Sequence, residues 1–336
     1  MKRNILKFTV LIALGASLSM ACSKSSDEGV NAAAQRYFDA WRAIHYPDAV
    51  EKDGIYIIED IPGNGAAWDQ DMEITLANYT IRSLDGTVTS TNQEAMAKQL
   101  GKWDQTYYYG PQVIVTSGNA IYAGVEMMLD GMRAGGTRTA LIPAWMMTQT
   151  RYENLSDYLS VDSGNEAAVY TIRLDGQTDD LTGDEFRRMR EYATREWGVS
   201  DTLSTAAVFF KSHTVFDGEP EEMPSDTTVY INYIGRRLDG QVFDTNIADT
   251  AKFYHIYDAS KEYAPVSITW SAEVSEIKMG STEPVDGFQY GLAAMHPEEK
   301  ASFLFGFSLG YGSSAQGSRI PAYSALRFDI EMVDKP

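Results

Sequence analysis

The chain has 336 residues, of which 44% are hydrophobic and 22% charged, and its formal net charge is −19. This composition is that of a folded protein, and the length predicts about two domains. An acidic surface without a Lys/Arg cluster repels nucleic acid, so we exclude nucleic-acid binding.

The N-terminus has the pattern of an export signal. A basic head precedes an apolar stretch at residues 8–18, which is shorter than the ~20 residues that a membrane-spanning helix needs. Cys22, the only cysteine in the chain, follows several small residues. This arrangement resembles the lipobox of bacterial lipoproteins. We therefore expect a signal peptide at residues 1–21 and a lipid anchor at Cys22, which would attach the protein to a membrane of the bacterial envelope, facing the periplasm or the cell exterior.

The first elements of the folded part follow from hydrophobic periodicity. Apolar residues at spacings of three and four predict an amphipathic helix over residues 30–46, with Tyr37, Phe38 and Ile44 on its apolar face. From residue 54 the period changes to two, and turn-forming residues interrupt it, so strands are expected.

The sequence contains an internal repeat. Residues 79–92 lie 154 positions before residues 233–246, and eight of the fourteen paired residues are identical. Each copy reads as strand, Asp-Gly turn and strand, which is a hairpin signature. A period this long indicates a duplicated domain rather than a solenoid. Residues 184–197 predict a charged helix between the copies, capped by Thr182 or Asp184.

Motifs for several other chemistries are incomplete. Residues 306–310 match the G-x-S-x-G hydrolase pattern, but no histidine follows Ser308, as a triad in this order requires. The four histidines have no partner at metal-ligand spacing, and the acidic run at residues 69–73 lacks the glycine and closing glutamate of a calcium loop. We therefore predict no metal and no cofactor.

Five segments near the C-terminus carry one family pattern. They are residues 229–233, 238–244, 285–288, 309–312 and 319–331. Together they resemble FKBP-type peptidyl-prolyl cis-trans isomerases. The resemblance implies an α+β fold with two FKBP-like domains, each an antiparallel curled sheet around one short helix, plus an N-terminal helix and a linking helix.

The resemblance also implies a site. Carried onto this sequence, the family's pocket falls on Tyr233, Phe243, Asp244, Val285, Phe288, Tyr311, Ile320 and Phe328. Phe288 stands where the family usually has tryptophan at the pocket floor, and Gln316 stands where a histidine is frequent. A tyrosine-rich segment, residues 247–264, is longer than the family's usual connection.

The implied reaction is rotation about the amide bond that precedes proline. Its barrier of ~18–20 kcal/mol comes from amide resonance, and rotation breaks no covalent bond, so no nucleophile, metal or cofactor is needed. The resemblance implies that the apolar residues enclose the proline ring. It assigns hydrogen-bond donation toward the substrate carbonyls to the Tyr311 hydroxyl and the Val285 N–H. Asp244, paired with Tyr233, would orient the polar side.

The first copy is predicted to keep the scaffold and to lack the pocket. Thr89 and Ser90 stand where the second copy has Phe243 and Asp244, and Val125 aligns with Phe288. We divide the chain into a signal peptide (1–21), a tether and N-terminal helix (22–50), a degenerate FKBP-like domain (51–175), a linking helix (176–202) and an FKBP-type prolyl isomerase domain (203–336).

The sequence thus predicts a prolyl isomerase that acts on proline-containing polypeptides and assists the folding of exported proteins. A non-catalytic FKBP-like binding or chaperone lipoprotein is the alternative. A third reading combines a client-holding first half with a catalytic second half. Thr89 and Ser90 favour a binding role for the first half, whereas Phe243, Asp244 and Tyr311 favour catalysis in the second.

Overall fold

The computed structural model describes residues 29–161 and 164–336. The predicted signal peptide and the predicted lipidation site at Cys22 lie outside these residues. Each half of the chain forms one seven-stranded sheet, and all strand pairs are antiparallel. The α+β fold with two curled sheets is therefore confirmed. In the described ranges, no helix combines the length and apolar character needed to cross a bilayer.

The first half consists of a leading helix and the first sheet. Its elements are α1 (Val30–His45), β1 (Val50–Lys52), β2 (Ile55–Ile61), β3 (Ile74–Ser83), β4 (Val88–Thr91), α2 (Glu94–Gln99), β5 (Gln112–Val115), α3 (Ala123–Leu129), β6 (Thr137–Ile142), α4 (Leu155–Leu159) and β7 (Ala168–Thr178). The strand order is β1-β2-β6-β7-β3-β4, and β5 also pairs with β3.

The second half repeats this arrangement after a long helix. Its elements are α5 (Leu181–Trp197), β8 (Val208–Ser212), β9 (Thr228–Arg237), β10 (Val242–Thr245), α6 (Ala248–Phe253), β11 (Val266–Thr269), β12 (Lys278–Met279), α7 (Asp286–Ala293), β13 (Lys300–Phe305) and β14 (Leu326–Val333). The strand order is β12-β11-β9-β14-β13-β8, and β10 also pairs with β9.

The repeat extends to individual hydrogen bonds. Asn92 Oδ1 accepts from the Tyr79 N–H at 2.6 Å, and Asn246 Oδ1 accepts from the Tyr233 N–H at 2.8 Å. In both halves the amide nitrogen of this asparagine donates to a carbonyl of the first strand of the hairpin (β3 or β9) and to a carbonyl of the loop that follows the hairpin. The long tyrosine-rich segment at residues 247–264 therefore has a counterpart in the first half, and the asparagine side chain holds both segments by the same pair of hydrogen bonds.

Helix α7 lies against the second sheet because two of its residues are glycines. A Cβ at Gly287 or Gly291 would overlap the rings of Phe305 and Phe303 on β13. The helix backbone therefore approaches the sheet closely, and the phenylalanine rings are fully buried beneath it. Together they form the main apolar core of the second half.

Helix α1 faces the first half with a different side from the one that its apolar residues predict. Tyr37 and Ile44 are 60% and 76% exposed, so the predicted apolar face is wrong at both positions. Phe38 is buried as predicted, and it shares the inward face with the polar residues Asn31 and Gln35 at helical spacing. The amide of Asn31 donates to two carbonyls at the end of α4, and these hydrogen bonds stabilise a polar contact that hydrophobic periodicity does not detect.

The linking helix α5 begins earlier than its sequence signals suggest. Its N-cap is Asp180, whose Oδ1 accepts from the Gly183 N–H at 2.8 Å, so the predicted caps Thr182 and Asp184 are wrong. Its buried residues pack on the second sheet rather than the first. Strand β7 runs to Thr178, past the predicted boundary at residue 175; the division into domains stays a prediction.

Candidate active site

Three phenylalanine rings from three elements meet in the second half. The rings of Phe243 (β10) and Phe328 (β14) are edge to face, with centroids 5.6 Å apart. The ring of Phe288 (α7) meets Phe328 in the same way at 4.8 Å. All three are nearly buried, and Phe305 stacks behind Phe328 at 5.9 Å. We call Phe243, Phe288 and Phe328 the aromatic cluster.

Gly235 makes room for the cluster. It lies opposite Phe328 in the β9–β14 register, and a Cβ at this position would stand 2.6 Å from Phe243 Cε2 and 3.0 Å from Phe328 Cε1. Phe243 sits at a β-bulge in β10, a feature that redirects a side chain. The glycine and the bulge together allow the Phe243 ring to lie across β9. Sequence reasoning did not identify Gly235.

A hydrogen-bonded pair borders the cluster on its polar side. The Tyr233 hydroxyl donates to Asp244 Oδ2 at 2.7 Å, which is the pairing expected from the sequence. Lys261 forms an ion pair with Asp244 Oδ1, donates to the Thr245 carbonyl at 2.9 Å and lies 3.4 Å from the Tyr233 hydroxyl. Burial, reinforced by the Asp244 charge, raises the pKa of Tyr233, so its phenol stays protonated and remains a donor.

Lys261 was missed at the level of sequence. It belongs to the long segment after β10, which does not align with the family pattern, and its only signal was the set of tyrosines around it. Its ammonium lies 5.8 Å from the ring centroids of Tyr233 and Tyr263. Asp244 is thus held between the Tyr233 phenol, which donates to it, and the Lys261 ammonium, which forms an ion pair with it.

Ile320 belongs to the same buried core as the aromatic cluster, Val285 packs against that core, and Tyr311 lies near Asp244. Tyr311 is 37% exposed, and burial together with the Asp244 charge raises the pKa of its phenol. Ile320 is buried, and its carbonyl accepts from the Gln316 N–H at 2.8 Å. Val285 is the N-cap of α7, where backbone N–H groups lie outside the helical hydrogen-bond ladder. Six of the eight predicted residues therefore share one core, and Asp244 and Tyr311 adjoin it through Tyr233, while the roles of all eight stay predictions.

The first half lacks these features at equivalent positions. Ile81 faces Tyr170 in the β3–β7 register as Gly235 faces Phe328, so an isoleucine side chain stands where the second half has none. Ser90 pairs with Ile81 where Asp244 pairs with Gly235, and the Tyr79 hydroxyl donates to Gln112 instead of to a carboxylate. These differences support the hypothesis that the first half keeps the scaffold without the site.

The match to known families falls on the second half. Residues 219–333 match the family model described as FKBP-type peptidyl-prolyl cis-trans isomerase. We call residues 219–333, which are similar to this family, the FKBP-type segment. The FKBP-type segment contains all eight predicted site residues and Lys261. Among the described residues, no three His, Cys, Asp or Glu side chains form a group that could hold a metal ion.

Two curated relatives match part of the chain. FK506-binding protein 2 of Dictyostelium discoideum is 28% identical over 103 residues, which cover 31% of this chain and 61% of the relative. A probable FKBP-type peptidyl-prolyl cis-trans isomerase of Haemophilus influenzae is 26% identical over 152 residues, covering 45% of this chain and 50% of the relative. The chain therefore spans between 50% and 61% of the length of these relatives.

Solved structures of FKBP-type proteins also match. The crystal structure of FkpA from Escherichia coli is 24% identical, with a TM-score of 0.31, and the match covers 46% of this chain and 62% of FkpA. The crystal structure of the three FKBP domains of wheat FKBP73 is 14% identical, with a TM-score of 0.29, and the match covers 84% of this chain and 95% of FKBP73.

Proposed function

We propose that the FKBP-type segment catalyses cis-trans isomerisation of the bond that precedes proline in polypeptide substrates. The single observation that carries this proposal is the aromatic cluster next to the Tyr233–Asp244 pair. An apolar surface and a small set of fixed polar groups are what the reaction needs, because rotation about an amide makes and breaks no covalent bond.

In this proposal the aromatic cluster, Val285 and Ile320 contact the proline ring and exclude water from the rotating amide. Water stabilises the planar, polar ground state of the amide more than the twisted state. An apolar environment that fits the twisted state therefore lowers the barrier by differential binding. The match of residues 219–333 to the family model of FKBP-type peptidyl-prolyl cis-trans isomerases supports this mechanism.

The polar groups orient the substrate. The raised pKa of Tyr311 keeps its hydroxyl protonated at neutral pH, so it can donate to a substrate carbonyl. The Val285 N–H at the start of α7 supplies a second donor in this proposal. Lys261 and Tyr233 fix the position of Asp244, whose carboxylate then directs the polar side of the substrate away from the cluster.

Substitutions at Phe243 and Asp244 test this proposal. We expect Phe243→Leu and Asp244→Asn each to lower kcat/KM for a proline tetrapeptide by about tenfold, equivalent to roughly 1.4 kcal/mol of transition-state stabilisation. A protease-coupled assay measures the rate, and circular dichroism checks the fold. The matched controls are Thr89→Leu and Ser90→Asn, at the equivalent positions of the first half, which should leave the rate unchanged. Wild-type rates for both test variants would contradict the proposal.

We also propose that the protein acts outside the bacterial inner membrane, anchored by lipid at Cys22, and there assists the folding of exported chains. The basic head, the short apolar stretch and the single cysteine after it support this. Cells that express the full chain should incorporate labelled palmitate into it, and Cys22→Ser should abolish the label. Equal labelling of the variant would contradict a lipid anchor at this residue.

A further inference from the structure

A cavity of about 450 Å³ lies where the two halves meet, outside the aromatic cluster. Its first-half wall carries Trp103, Tyr107 and Tyr109, and its second-half wall carries Tyr254 and the Asp-Gly turn between β9 and β10. Trp103 and Tyr107 are 41% and 45% exposed, and the rings of Tyr107 and Tyr109 stack at 6.0 Å. We call this cavity the inter-half cleft.

The first-half wall is held in place by a buried cation of the second half. Arg237 is 5% exposed and donates to the Thr106 carbonyl at 3.0 Å and the Tyr107 carbonyl at 3.4 Å. Trp103 is fixed by its indole N–H, which donates to Glu94 at 3.1 Å. A cleft whose walls are already ordered loses little conformational entropy when a ligand binds.

The inter-half cleft adjoins the aromatic cluster along the chain. Gln241 lines the cleft and stands two residues before Phe243, which corresponds to about 7 Å along a strand. From the other side, Arg237 donates to the Arg319 carbonyl at 2.6 Å, and Arg319 directly precedes Ile320. A polypeptide with its proline against Phe243 would therefore reach the cleft within about two or three extended residues.

The repeat shows that the loop of the first half that carries Tyr107 differs from the equivalent loop of the second half, which carries Lys261. Tyr107 occupies the position 154 residues before Lys261. Both loops have the same internal hydrogen bonds: the Asp104 N–H donates to the Tyr109 hydroxyl at 3.0 Å, and the Asp258 N–H donates to the Tyr263 hydroxyl at 2.9 Å. The second half uses this loop to position Lys261 at Asp244. The first half has no such carboxylate and instead presents an exposed tyrosine to the cleft.

We propose that the inter-half cleft binds an extended segment of the same client polypeptide whose proline lies against the aromatic cluster. Tryptophan and tyrosine faces pack against proline and aromatic side chains of extended peptides, and polar groups between them accept or donate backbone hydrogen bonds. Continuity with the aromatic cluster favours a polypeptide over an oligosaccharide as the occupant. The proposal rests on the proposed isomerase function and names a second contact region for its substrate.

The test compares a proline tetrapeptide with two octapeptides, which extend it by four proline- and tyrosine-containing residues on the amino or the carboxyl side. In the full chain, at least one octapeptide should have the lower KM. For Tyr107→Ala, the ratio of that octapeptide's KM to the tetrapeptide's KM should rise about tenfold, the effect expected of an aromatic residue central to an interface. Trp103→Ala should act in the same direction. The control is Tyr37→Ala on α1, an exposed tyrosine remote in sequence, which should leave the ratio unchanged.

An unchanged ratio in both cleft variants would overturn the proposal. Lack of turnover of the tetrapeptide by the wild-type chain would instead refute the isomerase function. In that case, fluorescence anisotropy with a fluorescein-labelled octapeptide still tests the cleft: a roughly tenfold higher Kd for Tyr107→Ala would support it, and an equal Kd would overturn it. The proposal would also be overturned if the chain bound maltohexaose and not the octapeptide, and if Tyr107→Ala abolished the binding of maltohexaose.

Discussion

Replacing Gly235 with isoleucine should lower kcat/KM for a proline peptide by about 100-fold, close to 2.7 kcal/mol of transition-state stabilisation. Even a Cβ at this position would stand 2.6 Å from Phe243 Cε2, so the larger side chain must displace that ring. The first half already carries this arrangement, because Ile81 occupies the equivalent register position. The substitution would therefore give the second half the same residue that the first half has at this register position.

The experiment separates loss of the site from loss of the fold. Overpacking typically costs about 1–3 kcal/mol, so thermal unfolding by circular dichroism is measured beside the activity. If Gly235→Ile fails to fold, Gly235→Ala provides the smaller version of the same change, with an intermediate loss of activity. Gly176→Ile on β7 is the control, since nothing lies within 4 Å of a Cβ added there. Full activity of a folded Gly235→Ile protein would exclude Phe243 from the site.

The sequence predicted which side chains lie close together where residue type and order carry the information, while the roles of these side chains stay predictions. Tyr233, Phe243 and Asp244 lie within one hairpin of the repeat, and the hairpin register alone brings them close together. Phe288 and Phe328 come from distant elements, and only the family pattern linked them to the hairpin. Duplication within the chain also led to the prediction that the second half carries the site, because Thr89 and Ser90 of the first half stand where the second half has Phe243 and Asp244.

The sequence did not reveal two kinds of feature: the space that a missing side chain leaves for its neighbours, and polar contacts between elements that are distant in the chain. Gly235 matters for the side chain that it lacks, and the rings that use that space come from β10 and β14. Lys261 lies 17 residues after Asp244, in a loop whose path cannot be derived from periodicity. The inward face of α1 was mispredicted because buried Asn31 and Gln35 replace the apolar residues that hydrophobic patterning assumes.

Glu185 is a further buried residue that sequence patterns did not single out. It lies in the first turns of α5 and is 3% exposed, and its two carboxylate oxygens accept from the Phe307 N–H at 3.2 and 3.0 Å. Phe307 opens the short 3-10 turn Phe307–Leu309, which leads to Tyr311. The linking helix therefore contacts the loop that carries a predicted site residue.

Burial raises the pKa of Glu185 to about 7, although the Phe307 N–H and the nearby Arg188 charge both act to lower it. Between pH 4.5 and 7 the folded protein keeps this proton, whereas the unfolded chain has lost it. Stability therefore falls as the pH rises through this window, and the loss is complete above pH 7. The raised pKa corresponds to about 3 kcal/mol of lost stability.

Replacing Glu185 with glutamine should remove this loss. The amide oxygen can still accept from the Phe307 N–H, while no buried charge forms. In urea unfolding, the variant should match the wild type near pH 4.5 and exceed its free energy of unfolding by about 3 kcal/mol at pH 8. Glu191→Gln, at an exposed position of the same helix, should show no such growing difference. If the difference in free energy of unfolding between Glu185→Gln and wild type were constant across this range, Glu185 would be ionised throughout. The hydrogen bond from the Phe307 N–H would then stabilise the carboxylate more than burial destabilises it.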